Sequence, residues 1–153
     1  MRPPVPIIIT PHLSMNALYY GLGEPAIYVA SDLVQRLDEE EFKAFVWHER
    51  AHRELYHVEI NIALTLYYCA WSLILAWQQH DWIMGPLVGA VYFFAMRALH
   101  GVIRVCQEIQ ADAYRHHPRL VDVFRKIRPT MGSPWGRAVL DLRIKMAGTW
   151  ARR

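Results

Sequence analysis

The length of 153 residues indicates a single domain, and a formal net charge of only +3 argues against a nucleic-acid-binding protein. Of the 17 basic residues, 14 are Arg, and they are scattered along the chain without a long basic run or a nucleic-acid-binding motif. Hydrophobic residues make up 54% of the chain, more than the roughly 45 to 50% of average soluble domains. This excess has to be buried in a large core or in a lipid bilayer.

The N-terminal region has the chemistry of short β-strands. Three segments rich in β-branched and aromatic residues are separated by Pro and Gly, and they are Ile7–Thr10, Asn16–Tyr20 and Ala26–Ala30. We expect a small sheet of two or three strands. Within it, Asn16, Ala17 and Leu18 are candidates for an edge strand that receives a peptide substrate by strand addition, and a plain sheet strand is an equal alternative.

The compartment follows from the N-terminus and from the cysteines. The apolar run at the N-terminus is too short for a signal peptide, and no small-residue cleavage site follows it. Cys69 and Cys106 lie in apolar or helical surroundings without the spacing of metal ligands. We expect reduced thiols and a chain that stays on the cytoplasmic side.

The segment that begins at Asp38 carries the signals of a helix start. Asp38 is a suitable N-cap, Glu41 takes the capping-box position, and two further acidic residues fill the first turn. Apolar residues then recur at the spacing of one buried helix face, and they are Phe42, Phe45 and Val46.

This predicted helix contains the sequence His48-Glu49-Arg50-Ala51-His52, which places two imidazoles one turn apart on one face. Neutral imidazoles bind zinc at about 2.0 to 2.1 Å, so the pair can share one ion, with Glu49 as the general base that activates zinc-bound water. Because the chain has 8 histidines, a polar helix face is an equal alternative for this motif alone. His57 falls off the ligand face of a continuous helix, and we predict an interfacial polar residue there.

A second motif shifts the balance towards a zinc hydrolase. The stretch from Gln107 to Tyr114 offers Glu108 as a third ligand and Asp112 one turn further on. Two histidines, one carboxylate and an open position for water form a known catalytic zinc set. Asp112 can accept the remaining N–H of a ligand histidine and so select its tautomer. We expect one Zn²⁺ per chain.

Between the two motifs lies an apolar stretch in which Asp81 is the only formally charged residue from Ile60 to Met96. Its two uncharged runs have 18 and 15 residues and flank a polar turn near His80. The first is long enough for a membrane span, and the second becomes so if Arg97 and His100 reach the interface or face protein. We predict a transmembrane helical hairpin at about residues 60–103, and the alternative is a pair of buried helices in a soluble core.

Simple counting connects the hairpin with the motifs. If the helices turn near His80, His52 lies about 28 residues before the turn and Glu108 about 28 after it, so they stand at the same height at 1.5 Å per residue. The zinc site would then lie beyond the bilayer. Because the Lys and Arg residues fall outside the apolar stretch, the positive-inside rule predicts that both termini and the site are cytoplasmic.

Two amphipathic segments complete the chain. Leu120–Ile127 carries basic residues on its polar side, and Arg137–Trp150 places Leu140, Ile144 and Ala147 on one face with Arg143 and Lys145 elsewhere. We expect the last segment to pack on the catalytic domain, with a position on anionic lipid as the alternative.

Taken together, these residues resemble the integral-membrane zinc metallopeptidases of the HtpX and CAAX-prenyl-protease type, within the gluzincins. The resemblance covers about two thirds of the chain, from Asn16 to Asp112, and the BlaR-type sensor peptidases share part of it. It implies that His48, His52 and Glu108 bind zinc, that Glu49 is the base and that Asp112 supports the site. The family's His-Pro element is matched imperfectly by Ser133–Arg137, so the oxyanion-stabilising residue is unassigned.

We therefore expect an α+β, mostly helical protein, with residues 1–153 forming one minimal metallopeptidase domain and the hairpin inserted between the metal motifs. The expected activity is zinc-dependent hydrolysis of peptide bonds in membrane-associated or unfolded proteins. One alternative is an inactive zinc-binding module for interaction or sensing at the membrane, and another is a membrane hairpin with an accidental motif. The expected partners are a protein substrate and a lipid bilayer, and no oligomeric state is indicated.

Overall fold

The computed structural model describes residues 5–11, 17–20, 25–79, 81–114 and 116–150. Helices dominate this part of the chain and a small sheet lies near its start, which confirms the predicted α+β, mostly helical fold. The strands are β1 (Ile7–Thr10), β2 (Ala17–Tyr20) and β3 (Ala26–Ala30). The helices are α1 (Ser31–Arg36), α2 (Glu39–Glu54), α3 (His57–Gln78), α4 (Met84–Tyr114), α5 (Leu120–Ile127) and α6 (Pro134–Trp150).

The sheet has three strands in the order β1-β3-β2, within the predicted range of two or three. The central strand β3 pairs in parallel with β1, where Ile7 lies opposite Ile27, and antiparallel with β2, where Ala17 lies opposite Val29. Since β2 is an edge strand, one side of its backbone is free of strand partners within the described chain. Asn16, the first residue of the predicted substrate strand, lies outside the described residues.

The core lies between the sheet and the helices that cover it. Ile27 and Val29 of β3 are completely buried, and they pack in one cluster with Phe45 and Val46 of α2 and Val123 of α5. Phe45 and Val46, with the partly buried Phe42, are the apolar stripe that the sequence places on one face of α2. Burying that stripe holds the motif helix against the sheet, with its histidine-bearing face turned to other elements.

Helix α2 begins as predicted, with a capping box. The Asp38 carboxylate accepts a hydrogen bond from the Glu41 amide at 2.8 Å, and Glu41 accepts one from the Asp38 amide at 2.8 Å. The buried Glu41 carboxylate also pairs with Lys126 of α5 at 2.5 Å. Caps of this kind typically contribute about 1 kcal/mol to stability, and this one also ties the start of the motif helix to α5.

A short turn separates the motif helix from the apolar helix that follows it. Helix α2 ends at Glu54, Tyr56 adopts a positive φ of 59°, and α3 begins at His57. A positive φ reverses the local course of the chain because an α-helix requires φ near −60°. The two helices are therefore consecutive but not continuous.

The chain divides into two compact units, Met1–Val58 with Gln107–Arg153 and, separately, Glu59–Cys106. Inside the second unit, α3 and α4 approach closely, because a Cβ atom at Gly89 would lie only 2.7 Å from the Ser72 carbonyl oxygen. A hydrogen bond of 2.7 Å between His100 Nε2 and Asn61 Oδ1 also joins the helices. Small residues at the crossing and polar side chains between helices are typical of helix pairs in membranes.

Both α3 and α4 are long and apolar enough to cross a membrane. Large apolar side chains on the second unit stand exposed, among them Leu66, Leu73, Trp77, Trp82, Val91 and Phe94. Soluble proteins seldom expose so many large apolar groups together, whereas a bilayer would cover them. The exposure supports membrane association, as the composition predicted.

Candidate metal centre

Three potential metal ligands meet within the first compact unit. His48 and His52 extend from consecutive turns of α2, and their Nε2 atoms lie 3.0 Å apart. Glu108 of α4 brings one carboxylate oxygen to 3.4 Å from His48 Nε2 and the other to 3.5 Å from His52 Nε2. The structure thus brings together three residues from two motifs 56 positions apart in sequence.

The spacing of these atoms fits a single zinc ion. Ligands bound at about 2.0 to 2.1 Å in tetrahedral geometry are separated from each other by about 3.3 Å. The donor atoms of His48, His52 and Glu108 lie within 4.8 Å of one another, and the three closest approaches are 3.0 to 3.5 Å. Within the described residues this is the one such group of His, Cys, Asp or Glu side chains.

His48 is oriented by Asp112, a completely buried carboxylate one turn beyond Glu108. The His48 Nδ1 atom lies 2.9 Å from Asp112 Oδ1, close but off the line of an ideal hydrogen bond. Burial disfavours the charged imidazole, but the interactions with Asp112 and then Glu108 prevail and raise the pKa of His48 to about 9. Because a metal binds the neutral ring, a protonated His48 would have to release its proton on binding one.

Arg143 of α6 completes the centre, although its position in the sequence did not predict a role in the site. Its guanidinium makes a two-pronged contact with Asp112 at 2.8 and 2.9 Å and lies 2.9 Å from Glu108 Oε2. It also stacks over the Phe124 ring, with 4.3 Å between Cζ and the ring centroid. Burial acts against its charge, but the hydrogen bonds with Asp112 and the charge of Glu108 hold its pKa above the usual range.

The contact of Arg143 with His48 has a consequence for metal binding. One guanidinium nitrogen lies 3.2 Å from His48 Nε2, the atom that would bind the metal. A guanidinium cannot coordinate a cation, so this nitrogen has to give way when the metal binds, while the contacts with Asp112 can remain. The one sequence feature that could have predicted Arg143 is charge balance, since carboxylates buried at a site require a cation nearby.

Glu49 follows His48 on α2 and is half-buried. Burial raises the pKa of its carboxyl group, and the charges of His48, His52 and Arg143 moderate that rise. A carboxylate whose pKa lies nearer neutrality is better suited to accept a proton and return it during one reaction cycle. The direction of this shift agrees with the role of general base that the sequence predicts for Glu49.

The prediction for His57 was wrong. Its side chain is only 2% exposed and lies against His52, with 4.9 Å between the ring centroids. The prediction assumed a continuous helix, in which a residue five positions on points away from His52. The turn at Tyr56 interrupts the helix, so the assumption does not hold.

The predicted substrate strand is placed in part. Ala17 and Leu18 belong to β2, the edge strand that lies beside α2.

Arg137 belongs to the segment that imperfectly matches the family's C-terminal element. Its side chain donates a hydrogen bond to the carbonyl oxygen of Met131 at 2.8 Å.

Residues 1–117 match the sequence model of peptidase family M48. Searches of curated proteins and of solved structures find no match. The matched span contains both motifs and the apolar helices, whereas Arg143 lies beyond its end.

Proposed function

Since the chain belongs to peptidase family M48, we propose that it is a zinc-dependent endopeptidase acting on membrane-associated or unfolded proteins. The observation that carries the proposal is the meeting of His48, His52 and Glu108 at ligand distances, with Glu49 on the same helix. Two imidazoles and one carboxylate are the protein ligands of thermolysin-type zinc enzymes, which keep a further position open for the reaction.

Zinc held by these residues would supply a Lewis acid for the scissile carbonyl and would acidify the attacking water. Glu49 accepts a proton from that water as the oxygen bonds to the carbonyl carbon. As the carbon–nitrogen bond breaks, Glu49 returns the proton to the leaving amine, so that its carboxylate is restored. Arg143 and Asp112 take no part in these transfers, and they hold His48 and Glu108 in place.

The edge strand β2 supports a role in substrate binding. An extended peptide can add to an exposed strand edge through main-chain hydrogen bonds, which fit many sequences. Residues Ala17 and Leu18 would receive the substrate beside the motif helix, with Asn16 as a further candidate. An unfolded or locally extended protein segment can adopt this conformation, whereas a folded domain cannot.

The membrane arrangement is also part of the proposal. Helices α3 and α4 would form a transmembrane hairpin, with the metal centre on the cytoplasmic side. This sidedness rests on the basic residues, which flank the apolar stretch and are missing between Ile60 and Met96.

The proposal predicts proteolysis that depends on zinc. Detergent-solubilised full-length protein should cleave a permanently unfolded protein substrate, lose this activity with a chelator, and regain it when zinc is restored. Mass spectrometry of the products should detect internal cleavage, as an endopeptidase requires. Zinc binding without cleavage across a broad substrate panel would instead support the inactive membrane module.

The topology predicts opposite labelling of two engineered thiols. In a chain whose Cys69 and Cys106 are replaced by Ala, Gln79→Cys should react with a membrane-impermeant thiol reagent in intact cells. Glu39→Cys, at the start of α2, should react after the cells are permeabilised. The reverse pattern would overturn the sidedness, and a protein recovered soluble without detergent would overturn the membrane assignment.

A further inference from the structure

The second ligand histidine has a buried neighbour that the proposed chemistry does not use. His57 Nδ1 lies 2.8 Å from His52 Nδ1, and His57 Nε2 lies 3.3 Å from the Gln110 side-chain oxygen. On an uninterrupted helix His57 would point about 140° away from His52. The turn at Leu55 and Tyr56 brings it back, so this contact depends on the positive φ of Tyr56.

If His52 binds a metal, the positions of the protons on His52 and His57 follow, and so does the hydrogen bond to Gln110. A neutral His52 that binds through Nε2 carries its proton on Nδ1. Two Nδ1 atoms at 2.8 Å can share only one proton, so His52 donates and His57 accepts. His57 then carries its own proton on Nε2 and donates it to the Gln110 oxygen, which accepts.

We propose that His57 is the positioning residue of His52, holding the tautomer and ring orientation that present Nε2 to the metal. The inference rests on the proposed zinc site. His57 would then do for His52 what Asp112 does for His48, except that the acceptor is a neutral ring and not a carboxylate. A neutral acceptor suits this site, because the carboxylates of Glu49, Glu108 and Asp112 would already balance Arg143 and one Zn²⁺, and another carboxylate would leave an excess negative charge.

The test compares two replacements of His57 in the full chain, in detergent, with zinc affinity measured by competition with a chelator. His57→Phe keeps an aromatic ring but offers no acceptor, and it should weaken zinc binding by about 10 to 100-fold. His57→Asn places an oxygen near the position of Nδ1 and should restore binding to within about threefold of the unaltered protein, because an amide oxygen accepts a hydrogen bond well. The absorption spectrum of the Co²⁺-loaded protein should change in the Phe variant and not in the Asn variant.

A matched control is His100→Phe, which alters another buried histidine that pairs with Asn61 and should leave zinc affinity unchanged. Equal zinc affinity in His57→Phe and the unaltered protein would overturn the inference and leave the zinc site standing. Equal weakening in the Phe and Asn variants would overturn it too, since loss of packing alone would explain that result. If the unaltered protein binds no zinc, the proposed function fails and this inference fails with it.

Discussion

Replacing Glu49 by Gln is expected to reduce peptide hydrolysis by at least about 10² to 10⁴-fold while leaving the fold and the zinc content unchanged. Gln has nearly the same shape as Glu and can still hydrogen-bond a water, but it cannot take up the proton. Glu49 is not among the three residues that meet at ligand distances, so its loss should not release the metal. The measurement is kcat/KM with an unfolded substrate, together with zinc content and the thermal unfolding temperature of the same preparations.

The control for this variant is Glu40→Gln, the same chemical change at an exposed position of the same helix. The Glu40 side chain forms an exposed ion pair with Lys43. That variant should cleave at the rate of the unaltered protein. Cleavage by Glu49→Gln at the same rate as the unaltered protein would show that Glu49 is not the base. Loss of zinc along with activity would show instead that Glu49 acts on the metal site.

Removing the third ligand is expected to have the larger effect on the metal. The protein should hold about one zinc per chain, and Glu108→Ala should lose most of it, because the change removes one of three direct bonds. Asp112 is not one of the three ligands and acts through His48 and Arg143, so Asp112→Ala should weaken binding by only about 10 to 100-fold. Metal content after dialysis, measured by elemental analysis, distinguishes these two degrees of loss.

Since Glu108 also pairs with Arg143, the alanine variant leaves that buried guanidinium with one carboxylate fewer. Glu108→Gln keeps the volume and removes the charge, so a loss of zinc in both variants separates coordination from a general loosening of the site. Asp122→Ala, which removes a half-exposed carboxylate on α5, is the control and should retain full zinc. Full zinc retention in Glu108→Ala would remove Glu108 from the ligand set.

The features that the sequence predicted well depend on residues close together in the chain. The capping box at Asp38 and Glu41, the buried stripe of α2 and the pairing of His48 with His52 all follow from the helical repeat. The three strands and the two long apolar helices follow from patterns of the same short range. Counting along the apolar stretch also predicted that Glu108 would lie level with His52, and these side chains do meet, although the count assumed one continuous helix and the turn at Tyr56 interrupts it.

The two side chains that the sequence left out of the site, Arg143 and His57, depend on features without a local signature. Arg143 reaches Asp112 because Leu120, Phe124 and Leu140 pack α6 against α5, and the path of a helix that returns from beyond a loop is decided by packing. His57 meets His52 because a single residue, Tyr56, takes a positive φ that its side chain does not favour. The sequence by itself therefore determined the metal ligands as candidates and the elements that carry them. Only the tertiary structure decided what surrounds those ligands, because the backbone angle at Tyr56 brings His57 to within 3 Å of His52 and the packing of α6 on α5 brings Arg143 to within 3 Å of Asp112.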